Sequence, residues 1–257
     1  MLKTLLHKQM TEIFRSYVYD AKKNRKRSKA ATIGLIVLCI GAVTGLWGVI
    51  LAALQNDVKK LLAYSSIENI GIIFIALGTA LLGKAEGSDP IFYAGMAGAL
   101  LHTLNHSFFK SLLFMGAGNI YTATHTTSLD DLGGLGKRMP VTMMCFTLAA
   151  LSLIGIPPLA GFVSKWYLLD AGLEAPLQVF GIAGLVVLVL SALLTAGYLL
   201  PIVTAGFFPG RDFSGERKEV GKTMLAPMLC FSAASVLLGL FPGPLMSWLG
   251  GLIPKMF

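Results

Sequence analysis

The chain has 257 residues, 55% of them hydrophobic and only 13% charged, with a mean hydropathy of +0.72. That composition excludes a soluble domain wrapped around one core and describes a polytopic membrane protein. The formal net charge of +8 points to nucleic acid until it is placed: nine Lys/Arg stand against Glu12 and Asp20 within residues 1–30, and the rest of the chain is nearly neutral. A neutral bundle offers phosphates no basic groove, so no nucleic-acid partner is expected.

In residues 1–20, Leu2, Leu5, Leu6, Met10, Ile13, Phe14, Tyr17 and Val18 recur at helical spacing with Lys3, Lys8, Glu12 and Arg15 between them, and a basic run from Lys22 to Lys29 follows. This reads either as an interfacial amphipathic helix tethered to anionic lipid or as a solvated tail. Six apolar blocks come next, at about 31–54, 61–83, 91–121, 141–170, 177–208 and 223–250. The expected fold class is therefore all-α, a membrane helix bundle of about six spans, with a basic leader over 1–30, a polar loop over 209–222 and a final span and tail over 223–257. Cys39, Cys145 and Cys230 fall in separate blocks without paired spacing, as small buried hydrophobes would.

The connections after the first, third and fifth blocks carry Lys59, Lys60, Lys137, Arg138, Arg211, Arg217, Lys218 and Lys222, while the other two carry only Lys84. Lys/Arg bias then places the N-terminal end of the first span outside, whereas the basic leader prefers the cytoplasm. Six simple spans cannot satisfy both. Either an apolar block is misread or, as the favoured expectation, the chain is a piece of a longer protein whose upstream spans are missing and whose first 30 residues are a foreign or degraded start.

The second block contains Glu68, deep enough that its carboxylate wants a cation, a shared proton or a polar patch to cap. The third, Ile91 to Tyr121, carries His102, Asn105, His106 and Lys110 across its middle. An ionisable group near the bilayer centre costs at least about 2.5–3.5 kcal/mol, and such groups usually face a protein interior or an ion path. Spaced by four, His102, His106 and Lys110 each turn about 40° from the last and rise about 6 Å, forming one stripe. Imidazoles and a desolvated Lys can exchange protons, so the stripe suits a relay; the plainer reading is hydrogen bonding between helices. The pair His102/His106 also has metal-ligand spacing, but no third ligand is near in sequence, and no metal is expected.

The fourth block reads Gly155-Ile156-Pro157-Pro158-Leu159-Ala160-Gly161-Phe162-Val163-Ser164-Lys165-Trp166. Pro157 and Pro158 remove two backbone donors, which predicts two half-helices with irregular backbone between them. Broken helices at membrane depth are tolerated inside protein or along a wet cavity, where transporters hold ions. Lys165 lies just beyond the break, placed either to serve it or to snorkel toward an interface near Asp170.

Three strings in this order, Asp57 to Gly71, His102 to Phe114 and Gly155 to Trp166, resemble the antiporter-like membrane subunits of complex I, multisubunit cation/proton antiporters and membrane-bound hydrogenases. Ser65 to Ile73 is most similar to the large membrane subunit of formate hydrogenlyase and hydrogenase-4. The resemblance covers about Gly34 to Phe208 and implies a five-helix antiporter-like repeat over 31–208 with one further span behind it. It places Lys165 at the family's ionisable residue on the broken helix and His102, His106 and Lys110 in its buried relay.

It further implies a proton-translocating subunit of a redox-driven assembly in the cell inner membrane, with no cofactor of its own. Electron chemistry would lie in peripheral redox subunits, and other membrane subunits would complete the complex. The relay would use His102, His106, Lys110, Lys165 and Glu68. The competing expectations are a structural subunit or inactive fragment that does not conduct, and a cation/proton antiporter subunit.

Overall fold

The computed structural model describes residues 29–174, 178–207 and 219–256, so the basic leader and most of the polar loop lie outside the described residues. The described chain forms eight α-helices in the order α1 (Lys29–Ala53), α2 (Val58–Glu86), α3 (Asp89–Thr124), α4 (Pro140–Ile154), α5 (Ala160–Leu173), α6 (Gln178–Phe207), α7 (Lys222–Leu240) and α8 (Gly243–Met256). Among them α1, α2, α6 and α7 are long and apolar enough to cross a membrane. Helix α3, with 36 residues, is longer still and carries the polar stripe.

The helix ends follow local chemistry. Asp57 caps α2 by accepting from the Lys60 amide at 3.0 Å, and its carboxylate also receives the Thr127 hydroxyl. Burial opposes its charge, but these donors outweigh that effect and hold the carboxyl below its ordinary pKa. Gly87, at φ 75°, ends α2 in the left-handed conformation that glycine adopts without strain. Pro90 opens the first turn of α3, where its missing N–H costs nothing.

Two of the six apolar blocks are not single helices. The fourth divides into α4 and α5 at the two prolines, as their chemistry demands. The sixth, expected to be one span, divides into α7 and α8 at Phe241 and Pro242: the proline ring keeps Phe241 out of the helical region, at φ −127° and ψ 61°. The cysteine expectation also needs correction, for Cys145 is buried while Cys39 and Cys230 are exposed on outward faces.

Helices α1 and α2 pack through glycine. A Cβ built on Gly41 would lie 2.7 Å from the Gly71 carbonyl oxygen, and one on Gly48 would fall on the backbone nitrogen of Glu68. Backbone thus meets backbone, as small residues permit in membrane helix pairs. The opposite face of α1 exposes Ile33, Ile36, Ile40, Val43, Trp47 and Ile50, a surface that belongs against hydrocarbon. Replacing Gly48 by Leu should push α1 off α2 at the height of Glu68, at a cost of about 1–3 kcal/mol; a lower unfolding midpoint in detergent is the expected readout.

Behind this pair, Leu61, Leu62, Phe109, Leu113, Met143 and Phe146 bring α2, α3 and α4 into one apolar core. The polar side chains of α3 sit at the edge of that core, facing α2 and α5.

Candidate functional site

The break sets the geometry. At Gly155, φ 95°, helix α4 turns out of its path, and the Gly155 and Ile156 amides donate back to Leu151 and Ser152 carbonyls at 3.0–3.1 Å. The Leu153 and Ile154 carbonyls have no following helical turn to bond. Lys165 of α5 takes both, at 2.8 and 2.9 Å from its Nζ. The side chain is 9% exposed, so it does not snorkel: its ammonium sits at the negative end of the half-helix dipole. Gly155 makes this seat possible, since a Cβ there would lie 2.9 Å from Lys165 Cδ.

The start of α5 is held just as closely. The Gly161 amide donates to Ser152 Oγ at 3.2 Å, and Ser235 of α7 donates to the same oxygen at 3.2 Å. Asn105 of α3 donates to the Ala160 carbonyl at 2.7 Å.

His102 is fully buried between three helices. Its Nδ1 lies 2.9 Å from Ser164 Oγ on α5, and its Nε2 lies 3.1 Å from Asn69 Oδ1 on α2. Eight residues further along α3, Lys110 donates to the Leu62 carbonyl at 2.8 Å and to the Ser65 hydroxyl, both on α2. His106 lies between them in sequence but only half-buried, edge-on to Phe109 at 5.5 Å. Its Nε2 and the Asn105 Oδ1 are buried without a hydrogen-bond partner among the described residues.

Glu68, 1% exposed, is met by hydroxyls. Ser191 and Thr195 of α6 donate to its Oε1, the latter at 2.6 Å, and Tyr198 donates to its Oε2 at 2.9 Å. Lys110 and Lys165 both lie within electrostatic reach of this carboxylate, yet their ammonium groups are spent on neutral oxygens. Three uncharged donors therefore stand where the sequence reading, between a lysine partner and a capped polar patch, leans to the lysine.

The structure thus gathers His102, Lys110, Lys165 and Glu68 inside the bundle, with His106 at its margin. Sequence reasoning missed Asn69, Ser164, Ser191, Thr195 and Tyr198. The last three recur at i, i+4 and i+7 on the largely apolar α6, a one-sided polar signal readable without coordinates.

A membrane bundle interrupted between α4 and α5, with buried basic groups around that break, has the form of an antiporter-like membrane subunit. Residues 26–192 match the family described as NADH:quinone oxidoreductase/Mrp antiporter, TM, and the chain belongs to it. It is 38% identical over 215 residues to hydrogenase-4 component B of Escherichia coli (strain K12), a match covering 80% of this chain and 32% of that protein. It therefore spans about a third of that relative's length. A chain in the structure of the membrane-bound sulfane sulfur reductase, an archaeal respiratory membrane complex, is 35% identical with a TM-score of 0.73, over 84% of this chain and 34% of that one. A chain of the Mrp complex from Dietzia sp. DQ12-45-1b gives a TM-score of 0.76 at 24% identity, over 86% of this chain and 46% of that one, a likeness of fold alone.

Proposed function

We propose that the chain forms part of a proton-translocating membrane subunit of a hydrogenase or complex I-like assembly in the cell inner membrane. Protons pass along His102, His106, Lys110 and Lys165, and the charge of Glu68 biases the lysines. Other membrane subunits complete the path, and peripheral redox subunits carry the electron chemistry that drives it.

One observation carries this reading: among the described residues, each buried lysine rests on neutral oxygens rather than in an ion pair. Lys110 holds Leu62 and Ser65, and Lys165 holds Leu153 and Ile154. A lysine so placed can release its proton without abandoning a bare carboxylate, which a tight buried ion pair forbids. The same contacts also cap carbonyls, so the reading is decided by proton movement and not by stability.

Lys110→Ala in a full-length assembly reconstituted into vesicles should slow formation of a pH gradient roughly a hundredfold, the scale of losing a positioned proton-transfer group. Subunit content should be unchanged. A normal gradient in that variant overturns the reading.

A further inference from the structure

The hydrogen bonds around His102 decide which of its nitrogens can exchange a proton. Asn69 donates from Nδ2 to the Ser65 carbonyl at 2.7 Å. A carbonyl can only accept, so the amide cannot turn its oxygen that way, and Oδ1 is fixed toward His102. An oxygen that only accepts requires a ring N–H opposite it. The Nε2 of His102, 3.1 Å away, must carry a proton whether the ring is neutral or cationic.

The other nitrogen faces a group that can do either job. Ser164 Oγ lies 2.9 Å from Nδ1 and 3.1 Å from the Gly161 carbonyl, and it has one proton for the two. With the ring neutral, the hydroxyl donates to Nδ1. With the ring cationic, Nδ1–H donates to Ser164 Oγ and the hydroxyl turns to Gly161. The hydrogen-bonding groups of His102, Asn69 and Ser164 are satisfied in both states, which differ by one proton on Nδ1 and one rotation about the Ser164 C–O bond. The charged and titratable groups facing the ring are Lys165 from α5 and His106 from its own helix; from α2 it meets the uncharged Asn69.

We infer that His102 takes up and releases its proton at Nδ1 alone, with Ser164 as the positioning residue that alternates between donor and acceptor, while Asn69 locks Nε2 in the protonated form. The ring is then a station that gains its proton from the α5 side and returns it there, where Lys165 lies within electrostatic reach, and not a conduit carrying a proton in at one nitrogen and out at the other. This rests on the relay reading above and adds the side from which His102 exchanges its proton.

The test uses the complete assembly in vesicles, with His102→Ala, Ser164→Ala and Ser164→Thr compared for the rate of gradient formation across pH. Ser164→Ala should slow the rate roughly tenfold, the scale of one hydrogen bond to a charged ring, and should move the pH profile lower because the cationic ring loses its acceptor. Ser164→Thr, which keeps the hydroxyl, should restore both. Imidazole 15N resonances, assigned to His102 by difference with His102→Gln, should show the neutral ring protonated at Nε2.

A neutral ring protonated at Nδ1, or Ser164→Thr as slow as Ser164→Ala, overturns the inference. So does a normal rate and pH profile in Ser164→Ala beside a slowed His102→Ala, which leaves the relay reading intact. An unchanged rate in His102→Ala removes the relay reading and the exchange step with it.

Discussion

Lys165→Ala and Lys165→Gln should both abolish proton transfer through the break, and only the first should weaken the fold. Alanine leaves the Leu153 and Ile154 carbonyls without their donor, and an unsatisfied buried acceptor costs about 1–3 kcal/mol. Glutamine can still reach one of them with an amide N–H but exchanges no proton near neutral pH. The expected pattern is a depressed unfolding midpoint in detergent for the alanine form, recovery toward wild type for the glutamine form, and a gradient lost in both to roughly one hundredth of its rate. Wild-type pumping in the glutamine form would show that Lys165 only seals the end of α4.

Glu68 should give the largest loss of stability of any single change. Ser191, Thr195 and Tyr198 all aim hydroxyls at its carboxylate, and hydrogen bonds to a charged group are worth about 1.5–3 kcal/mol each. In Glu68→Leu all three donors face a methyl group inside a buried helix interface. That variant is expected to fail in assembly or melt far below wild type. Glu68→Gln keeps an oxygen for two hydroxyls and lets its amide donate to the third, so it should assemble. Its gradient should still form more slowly, because the negative charge near Lys110 and Lys165 is gone. A Glu68→Leu protein as stable as wild type would show that the hydroxyls find other acceptors.

Features that obey one-dimensional rules were legible in the sequence. The proline pair announced the break because a missing N–H is a local fact, and the four-residue spacing announced that His102 and Lys110 share a face of α3. Residues whose role depends on a neighbour were not legible. Nothing in the Ser65–Asn69 string says that Asn69 will grip an imidazole 33 positions away, and Ser164 reads as one more small residue until α5 is laid against α3. The join at Pro242 was missed for a different reason: hydropathy ran on through it, and the proline was outweighed by its apolar surroundings. Snorkelling and break-capping by Lys165 predict the same sequence, and only the direction of the side chain separates them.

Helix α4 has a further property that concerns both of its ends. At its start, Glu219 accepts from the Val141 and Thr142 amides at 2.9 and 3.2 Å; at its finish sits the Lys165 ammonium. Fifteen residues of helix place these groups about 22 Å apart, each opposite in sign to the terminus it touches. The half-helix is a short electrical rod with a counter-charge clipped to each pole. Neutralising the acidic pole, as in Glu219→Gln, should loosen the hold of the segment before α7 on the start of α4, while the positive pole keeps its own carbonyls.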